Sequence, residues 1–376
     1  MATSNIAIIG AGIGGLALAA ALRGQGLSVR IYEQAGGFAR VGAGIQMSPN
    51  AMRVLRALGI EGRVRATAFR PPNWANRTWD TGEMLFDLPL GDTAEARYGA
   101  PYLLMHRADL HEALLSAVDP SLIGFDHKLA DLTQDDDAVT LHFADGGTAR
   151  ADIVIGADGV HSRTRELLFG AQAPNLSGRV AYRATFPAAL LGEYKVDGAS
   201  TKYWGPDRHI VIYPVNDAED EIYFVTSVPE PEWTRESWSA EGDVEQLRAA
   251  FAGFHDQVRR VLVACPKVHK WAILERDPMP SWAIGRVALL GDACHPMTPY
   301  MAQGAASAME DALVLARLLG EAGGVGRGAV DAVFARYQAA RQERTARLQL
   351  TSHGNQFMRG PTDASWVYGY DATVAG

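Results

Sequence analysis

Cysteine is scarce: only Cys265 and Cys294 occur in 376 residues, far apart and with no CxxC pair. That excludes a disulfide framework and a dithiol redox couple, and it fits a reducing, cytoplasmic compartment. Positive charge is in short supply as well, with 35 Lys and Arg against 43 Asp and Glu for a formal net charge of −8. Neither a nucleic acid nor an anionic membrane is expected as a partner, since each calls for a basic face. An anionic small molecule therefore has to be held by local donors or helix N-termini. Long hydrophobic runs are missing too. The most apolar stretch, "IAIIGAGIGGLALAAAL" at 6–22, has no basic residue before it and is punctuated by glycine. It is also short for a ~20-residue membrane span. Neither GxSxG nor a P-loop occurs, so acyl and phosphoryl transfer find no support.

What is present is an α/β chain, 48% hydrophobic, long enough for two intimately packed domains. "NIAIIG" reads as a short buried strand, followed by Gly10-Ala-Gly12-Ile-Gly14-Gly15, an Ala/Leu helix to about Gln25, and the strand "SVRIYEQ". In this strand–turn–helix setting Gly10 allows the tight turn. Gly12 lets backbone approach a pyrophosphate, and Gly15 lets helix and strand pack closely. Glu33, with Gln34 beside it, ends the second strand, where an acid accepts from an unphosphorylated adenosine ribose. The opening therefore binds a dinucleotide.

Further along, 49–58 and 107–118 look helical, and "VTLHFADGGTARADIVIGADG" reads as a hairpin feeding a buried strand that ends at Gly156. From 175 to 275 the pattern alternates: "HIVIYPV" and "EIYFVTSV" flank the turn "NDAED" as a hairpin. "GRVALLGDA" returns to the buried-strand style. A helix is expected over 302–320, then a Gly-rich break at 320–328 and a final amphipathic helix over 330–352. The expected division is a cofactor domain at 1–174 and 276–376, interrupted by a mostly antiparallel β-sheet domain at 175–275.

Two later motifs choose the dinucleotide. "GADGVHSRTR" (156–165) puts Asp158-Gly159 at one strand end, and "GDACHPMTPYMAQGA" (291–305) puts Asp292 at another. A compact NAD site does not need an acid so far along the chain, whereas an extended FAD does. No second strand–GxGxxG–helix unit exists. Cys294 and His295 lack further ligands at metal-binding spacing, so no metal is expected and both read as packing residues.

Together the three motifs resemble the FAD-dependent single-component aromatic hydroxylases, the family of para-hydroxybenzoate and salicylate hydroxylases, over essentially the whole chain. The resemblance implies FAD as cofactor, NADH or NADPH as transient co-substrate, O2, and a Rossmann-like FAD-binding domain carrying an inserted β-sheet substrate domain and C-terminal helices. It places Asp292 on the flavin ribityl chain, Arg107 at the pyrophosphate, and Asp158-Gly159 where FAD and the nicotinamide cofactor are both served. Gly10, Gly12, Gly14, Gly15, Glu33, Gln34, Leu129 and Gln46 complete the expected cofactor contacts. Pro296 and Pro299 would bend the chain so that Gly304 and Ala305 open a helix N-terminus toward the flavin, favouring negative charge there.

Within the family, "GAGIQMSPNAMRVLRALG", "WGPDRHIVIYP", "IYFVTSVP" and "WVYGYD" are similar to the enzymes that hydroxylate hydroxynicotinate at the ring carbon bearing the carboxylate, releasing CO2. A salicylate-type or other hydroxybenzoate reaction is the alternative. A flavin-binding regulator without turnover, or an isoprenoid-modifying flavoprotein, represents other classes. His209 and Tyr213 share one strand face, and Tyr223 falls opposite Tyr213 if the turn centres near Asp217-Ala218. The resemblance makes His209 and Tyr213 the residues that bind or deprotonate the ring hydroxyl; the plainer reading is aromatic packing of a half-buried sheet. Gln46, Ser200, Tyr223, Val225 and Tyr300 are the expected substrate contacts. Gln46 and Tyr300 stand where the hydroxynicotinate enzymes carry histidines, and Ser200 where one carries cysteine. Monomer and homodimer are both compatible with the sequence.

Overall fold

The computed structural model describes residues 5–23, 25, 27–40, 43–232, 240–323 and 327–375. Its centre is a parallel sheet in the order Val287–Leu289, Ile153–Gly156, Asn5–Ile9, Ser28–Tyr32, Ile123–Gly124, with Ala283–Ile284 antiparallel at one edge. Ile6, Ile8, Ile153, Ile155 and Leu289 are fully buried because layers cover both faces. On one face lie the helices Ile13–Arg23 and Gly304–Ala322. Gly14 makes their close approach possible: a Cβ there would stand 2.7 Å from Leu290 Cδ2 and 3.3 Å from Ala308 Cβ. On the other face lies a three-stranded antiparallel layer, Leu129–Gln134, Val139–Phe143 and Thr148–Ala151. The expected hairpin and buried strand are both present.

The second unit is an eight-stranded sheet. Its order is Glu241–Gly242, Val268–Glu275, Asn175–Pro187, Glu221–Pro229, His209–Pro214, Ser200–Trp204, Asn73–Thr78, Met84–Pro89. The sheet is thus not confined to 175–275. Asn73–Thr78 pairs in parallel with Ser200–Trp204, and Met84–Pro89 closes that side. The physical reason is edge protection, because Ser200–Trp204 is buried along its whole length and needs a partner on its open side. "NWANRT" carries too many polar residues for hydrophobic alternation to mark it as a strand.

Strand alternation gives the sheet two different faces. Tyr203, Ile210, Ile212 and Phe224 pack against the helices Val244–Ala250 and Asp256–Ala264. The opposite face carries Trp204, His209, Val211, Tyr213, Tyr223 and Val225, and it meets the cofactor domain. Tyr213 pairs with Tyr223 in register, and their ring centroids are 5.1 Å apart. Among the described residues no helix is long and apolar enough to cross a membrane.

A buried ion network joins the Pro-rich bend to the C-terminal helices. Asp311 takes Arg341 Nε at 2.7 Å and pairs with His295 Nε2 at 2.5 Å, while Glu310 takes Arg341 and Arg344 at 2.7 and 2.9 Å. His295, Asp311, Glu310 and Arg341 are all within 1% of fully buried. Burial by itself would raise the Asp311 carboxyl, but His295 and Arg341 outweigh it and hold it at about 2. Burial would likewise lower the His295 imidazole, but Cys294 and Asp311 outweigh it and raise it well above its ordinary value.

The two shifts give opposite pH limits. The depressed carboxyl stabilises fully above about 4, and that contribution is lost as pH falls through its folded value. The raised imidazole stabilises fully below about 6.5, and its contribution is lost as pH rises through its folded value. Asp311→Ala leaves His295 buried without its acid and Arg341 with Glu310 alone, so chemical denaturation is expected to show a loss of about 3–5 kcal/mol. The loss should be largest between about pH 4 and 6.5, where both groups contribute in full.

Candidate active site

The first turn folds as its glycines dictate. Gly10 adopts φ +103°, and a Cβ on it would stand 2.6 Å from the Ala157 carbonyl oxygen. A Cβ on Gly15 would stand 2.0 Å from the Gly10 carbonyl oxygen, whereas a Cβ on Gly12 would meet nothing within 4 Å. Gly10 and Gly15 are therefore packing requirements, and Gly12 borders open space. That space is a cavity of about 420 Å³ whose walls include Gly10, Gly12, Glu33, Gln34, Leu129 and Asp158. Six expected cofactor residues come together here. Glu33 accepts from the backbone N–H groups of Ala11 and Ala35 at 2.8 and 2.9 Å, which fixes its carboxylate at the strand end.

Asp158 does something the sequence did not disclose. Its carboxylate accepts from Ser162 Oγ at 2.5 Å and from both Thr164 N and Thr164 Oγ1 at 2.9 Å. It thereby fastens the start of the helix Arg163–Phe169 beneath the cavity. Gly159 follows in the left-handed region at φ +77°.

Beyond the first cavity, Asp292 lies at the end of the strand Val287–Leu289 and its short turn. Protein surrounds its carboxyl and pushes it up, against the pull of His295 and Arg107, while its own surface faces the open cleft. Ala302, at φ +54°, turns the chain into the helix Gly304–Ala322. A Cβ on Gly304 would stand 3.8 Å from Asp292 Oδ1, so the carboxylate and this helix N-terminus share one corner. Gln303 sits before the helix, donating to Ser48 Oγ at 3.0 Å and accepting from Asn50 Nδ2 at 2.9 Å. The donor set fits FAD: a Cβ-free approach at Gly12, an acid for a ribose, a basic Arg107 and Asp292 further along, and an open helix N-terminus at the end.

On the sheet side, Gln46, His209, Val225 and Tyr300 line a narrow pocket of about 30 Å³, close to one water's share of space. Tyr213, Tyr223 and Ser200 lie beside it on the same sheet instead of lining it. A Cβ on Gly44 would stand 2.8 Å from Tyr213 Oη and 2.5 Å from Tyr223 Cδ1, so the two tyrosines abut the strand that carries Gln46. Gln46 accepts from Tyr102 Oη at 2.5 Å. Tyr300 Oη and Ser227 Oγ are hydrogen-bonded at 2.9 Å, and the Tyr300 ring meets His209 edge-on at 5.4 Å.

Charge states follow from burial. Desolvation, then the positive charges of Lys202 and Arg179, push His209 well below its ordinary value, so it is a neutral imidazole at neutral pH. Burial pushes the Tyr223 phenol up to about 12 and the Tyr213 phenol well above its ordinary value. Both tyrosines are therefore neutral donors. Of the two residues expected to deprotonate a ring hydroxyl, only His209 has the charge state to accept the proton.

Lys202 was not among the expected residues. It lines the same pocket and is 1% exposed, and its ammonium lies 3.7 Å from the Trp204 ring centroid. Lysine ordinarily reads as a solvated side chain, and only the strand period, with apolar Tyr203 on the opposite face, gave a signal that position 202 points inward. Cys294, His295 and Asp311 place one ligand atom each within 4.8 Å of one another. Asp311 and His295 are spent on the ion network described above, and the Cys294 thiol is pushed up by burial.

The profile of the FAD binding domain family matches residues 3–351. The chain is 47% identical to 6-hydroxynicotinate 3-monooxygenase of Bordetella bronchiseptica, over 98% of this chain and 95% of that protein. Among solved structures it is similar to Klebsiella pneumoniae HpxO complexed with FAD and uric acid, at 28% identity and a TM-score of 0.83, covering 96% of this chain and 90% of that one. It is equally similar to a salicylate hydroxylase substrate complex, at 27% identity and a TM-score of 0.83, covering 98% and 96%. A glycine turn and acid built for a dinucleotide, an open helix N-terminus beyond them and a match over nearly the whole length agree: the chain belongs to the FAD-binding family of aromatic hydroxylases and is an FAD-dependent monooxygenase.

Proposed function

We propose that this monooxygenase carries out the decarboxylative hydroxylation of 6-hydroxynicotinate or a closely related hydroxylated pyridine carboxylate, with NADH or NADPH as transient reductant. The observation that carries the reading is the near-full-length match, at 47% identity, to a relative named for that substrate. When bound, FAD supplies the redox and oxygen-activating chemistry. We assign Gly10, Gly12, Glu33, Gln34, Leu129 and Asp158 to its adenosine end, Arg107 to the pyrophosphate, Asp292 to the ribityl chain, and Gly304, Ala305 and Gln46 to the ring end. The 73–89 and 175–275 strands then form the lid over the ring substrate.

The chain's own contribution is placement and proton handling. Neutral His209 takes the proton of the ring hydroxyl, which pushes electron density toward the carbon to be oxygenated. Tyr213, kept as a phenol, holds the resulting oxygen as a donor. Tyr300, fixed by Ser227, forms the facing wall and keeps water out. A hydroxybenzoate is the second reading, favoured specifically by Tyr300 and Gln46 standing where histidines are expected.

Substrate coupling, His209 kinetics and glycine variants test these assignments. NADH oxidation by the FAD-loaded protein, with CO2 release scored, is expected to couple on 6-hydroxynicotinate and not on salicylate or 6-hydroxypicolinate; coupling on salicylate instead would move the assignment to the second reading. His209→Asn is expected to lower turnover by about 10²–10⁴-fold. In the parent protein the acidic limb of kcat should lie below about pH 6.5, because the imidazole is neutral to lower pH than an ordinary histidine. Unchanged turnover in the variant would remove His209 from the reaction. Gly12→Ala should fold with an unaltered Tm and lose FAD affinity, measured by flavin fluorescence, since its Cβ meets only the cleft. Gly15→Ala should fail to fold, because its Cβ meets backbone at 2.0 Å.

A further inference from the structure

Lys202 is a buried cation without an acid. Among the described residues no ion pair or hydrogen bond joins its ammonium to any side chain, and its one close polar contact is the face of Trp204 at 3.7 Å. None of the other pocket-lining residues is an acid, the polar ones being Gln46, Trp74, His209, Thr226 and Tyr300. The charged and titratable groups around it add no negative charge. His209 comes from the neighbouring strand and Tyr300 from the Pro-rich bend. The charge of Arg179 acts on His209, and Arg359 lies 5.8 Å from the Trp204 ring centroid. Burial, with no compensating carboxylate, pushes the lysine well below its ordinary value.

The strands beside Lys202 hold more unmet hydrogen-bonding capacity. In register with it and one step away are Asn76 and Trp74, on the parallel strand Asn73–Thr78, and Ser200, on its own strand. All three are at most 2% exposed, and among the described residues Asn76 Nδ2, Trp74 Nε1 and Ser200 Oγ have no hydrogen-bond partner. Buried polar groups are ordinarily paired, because each unmet one costs free energy. An unpaired cation flanked by unmet donors on one sheet face is what remains when an anion is taken away.

We propose that Lys202 is the carboxylate receptor of the active site, its ammonium holding the anionic carboxylate of the ring substrate against the face shared by Trp74, Asn76 and Ser200. This rests on the reading that the substrate is a hydroxylated aromatic acid. A carboxylate entering a closed pocket must find a cation or be strongly disfavoured. In a chain of net charge −8 that cation has to be local. Among the described residues Lys202 is the one lysine or arginine lining this pocket, and the other lining residue able to carry positive charge, His209, is held neutral by burial. The division of labour follows: the lysine holds the acid end of the ring, and His209 handles the hydroxyl.

The test uses the FAD-loaded protein, its Lys202→Met and Lys202→Arg variants, and two ligands: 6-hydroxynicotinate and the corresponding carboxamide. Binding is followed by the change each ligand makes in the flavin absorption spectrum. Lys202→Met is expected to weaken the acid by about 30-fold or more, as for truncating one partner of a buried charge pair. It should shift the amide by less than about threefold, and Lys202→Arg should keep the acid within about tenfold of the parent. The ligand-free Tm of Lys202→Met should be no lower than that of the parent, since an unpaired buried charge is gone. Equal weakening of acid and amide would make the lysine a contact of the ring or its hydroxyl and overturn the proposal, as would undiminished acid binding. Should the parent bind a hydroxybenzoate and not the pyridine acid, the substrate reading fails. The same comparison with that acid and its amide then still decides the role of Lys202.

Discussion

The contact on which the rest of the site depends is the buried pair His295–Asp311, closed by Arg341. It anchors the middle of a fifteen-residue segment whose two ends serve different molecules. Asp292 and Gly304 share the corner of the cofactor cleft, while Pro299, Tyr300 and Ala302 line the pocket under the sheet. The prolines stiffen the bend, Ala302 turns it at positive φ, and the ion network fixes it to the helices Gly304–Ala322 and Arg327–His353. Without that anchor, cofactor and substrate contacts would move independently of each other.

Such an arrangement explains why so many ionisable groups are buried in one protein. The His295, Asp311, Glu310, Arg341 and Arg344 set is self-compensating, each charge meeting its opposite within hydrogen-bond distance. Lys202 and His209 are different. They sit under the sheet with no acid between them, one pushed down by burial alone and the other by burial together with nearby cations. Paired buried charge holds structure in place, whereas unpaired buried charge facing a pocket is poised for a ligand.

Much of this was legible from residue order. Gly10, Gly12 and Gly15 between a strand and a helix, with Glu33 at the next strand end, needed only local geometry to interpret. The period-2 placement of His209 and Tyr213, and of Tyr223 opposite Tyr213, held because a hairpin register is set by its own turn. What was hidden depended on distant partners. The strands Asn73–Thr78 and Met84–Pro89 join a sheet whose other members begin a hundred residues later, and the polar composition of the first, "NWANRT", gives no hint of it. Asp158 lines the expected cofactor cavity, but its second task, accepting from Ser162 and Thr164, exists only once the helix has formed. Lys202 escaped notice because a lysine is almost never fully buried without a partner, and the partner proposed for it, the substrate, is not part of the chain.

The most direct test of the account is a structure of the FAD-loaded protein with 6-hydroxynicotinate. The flavin is expected against Gly304, Ala305 and Asp292, and the ring between His209 and Tyr300, both touching the segment 291–305. A flavin or a ring bound away from that segment would contradict it.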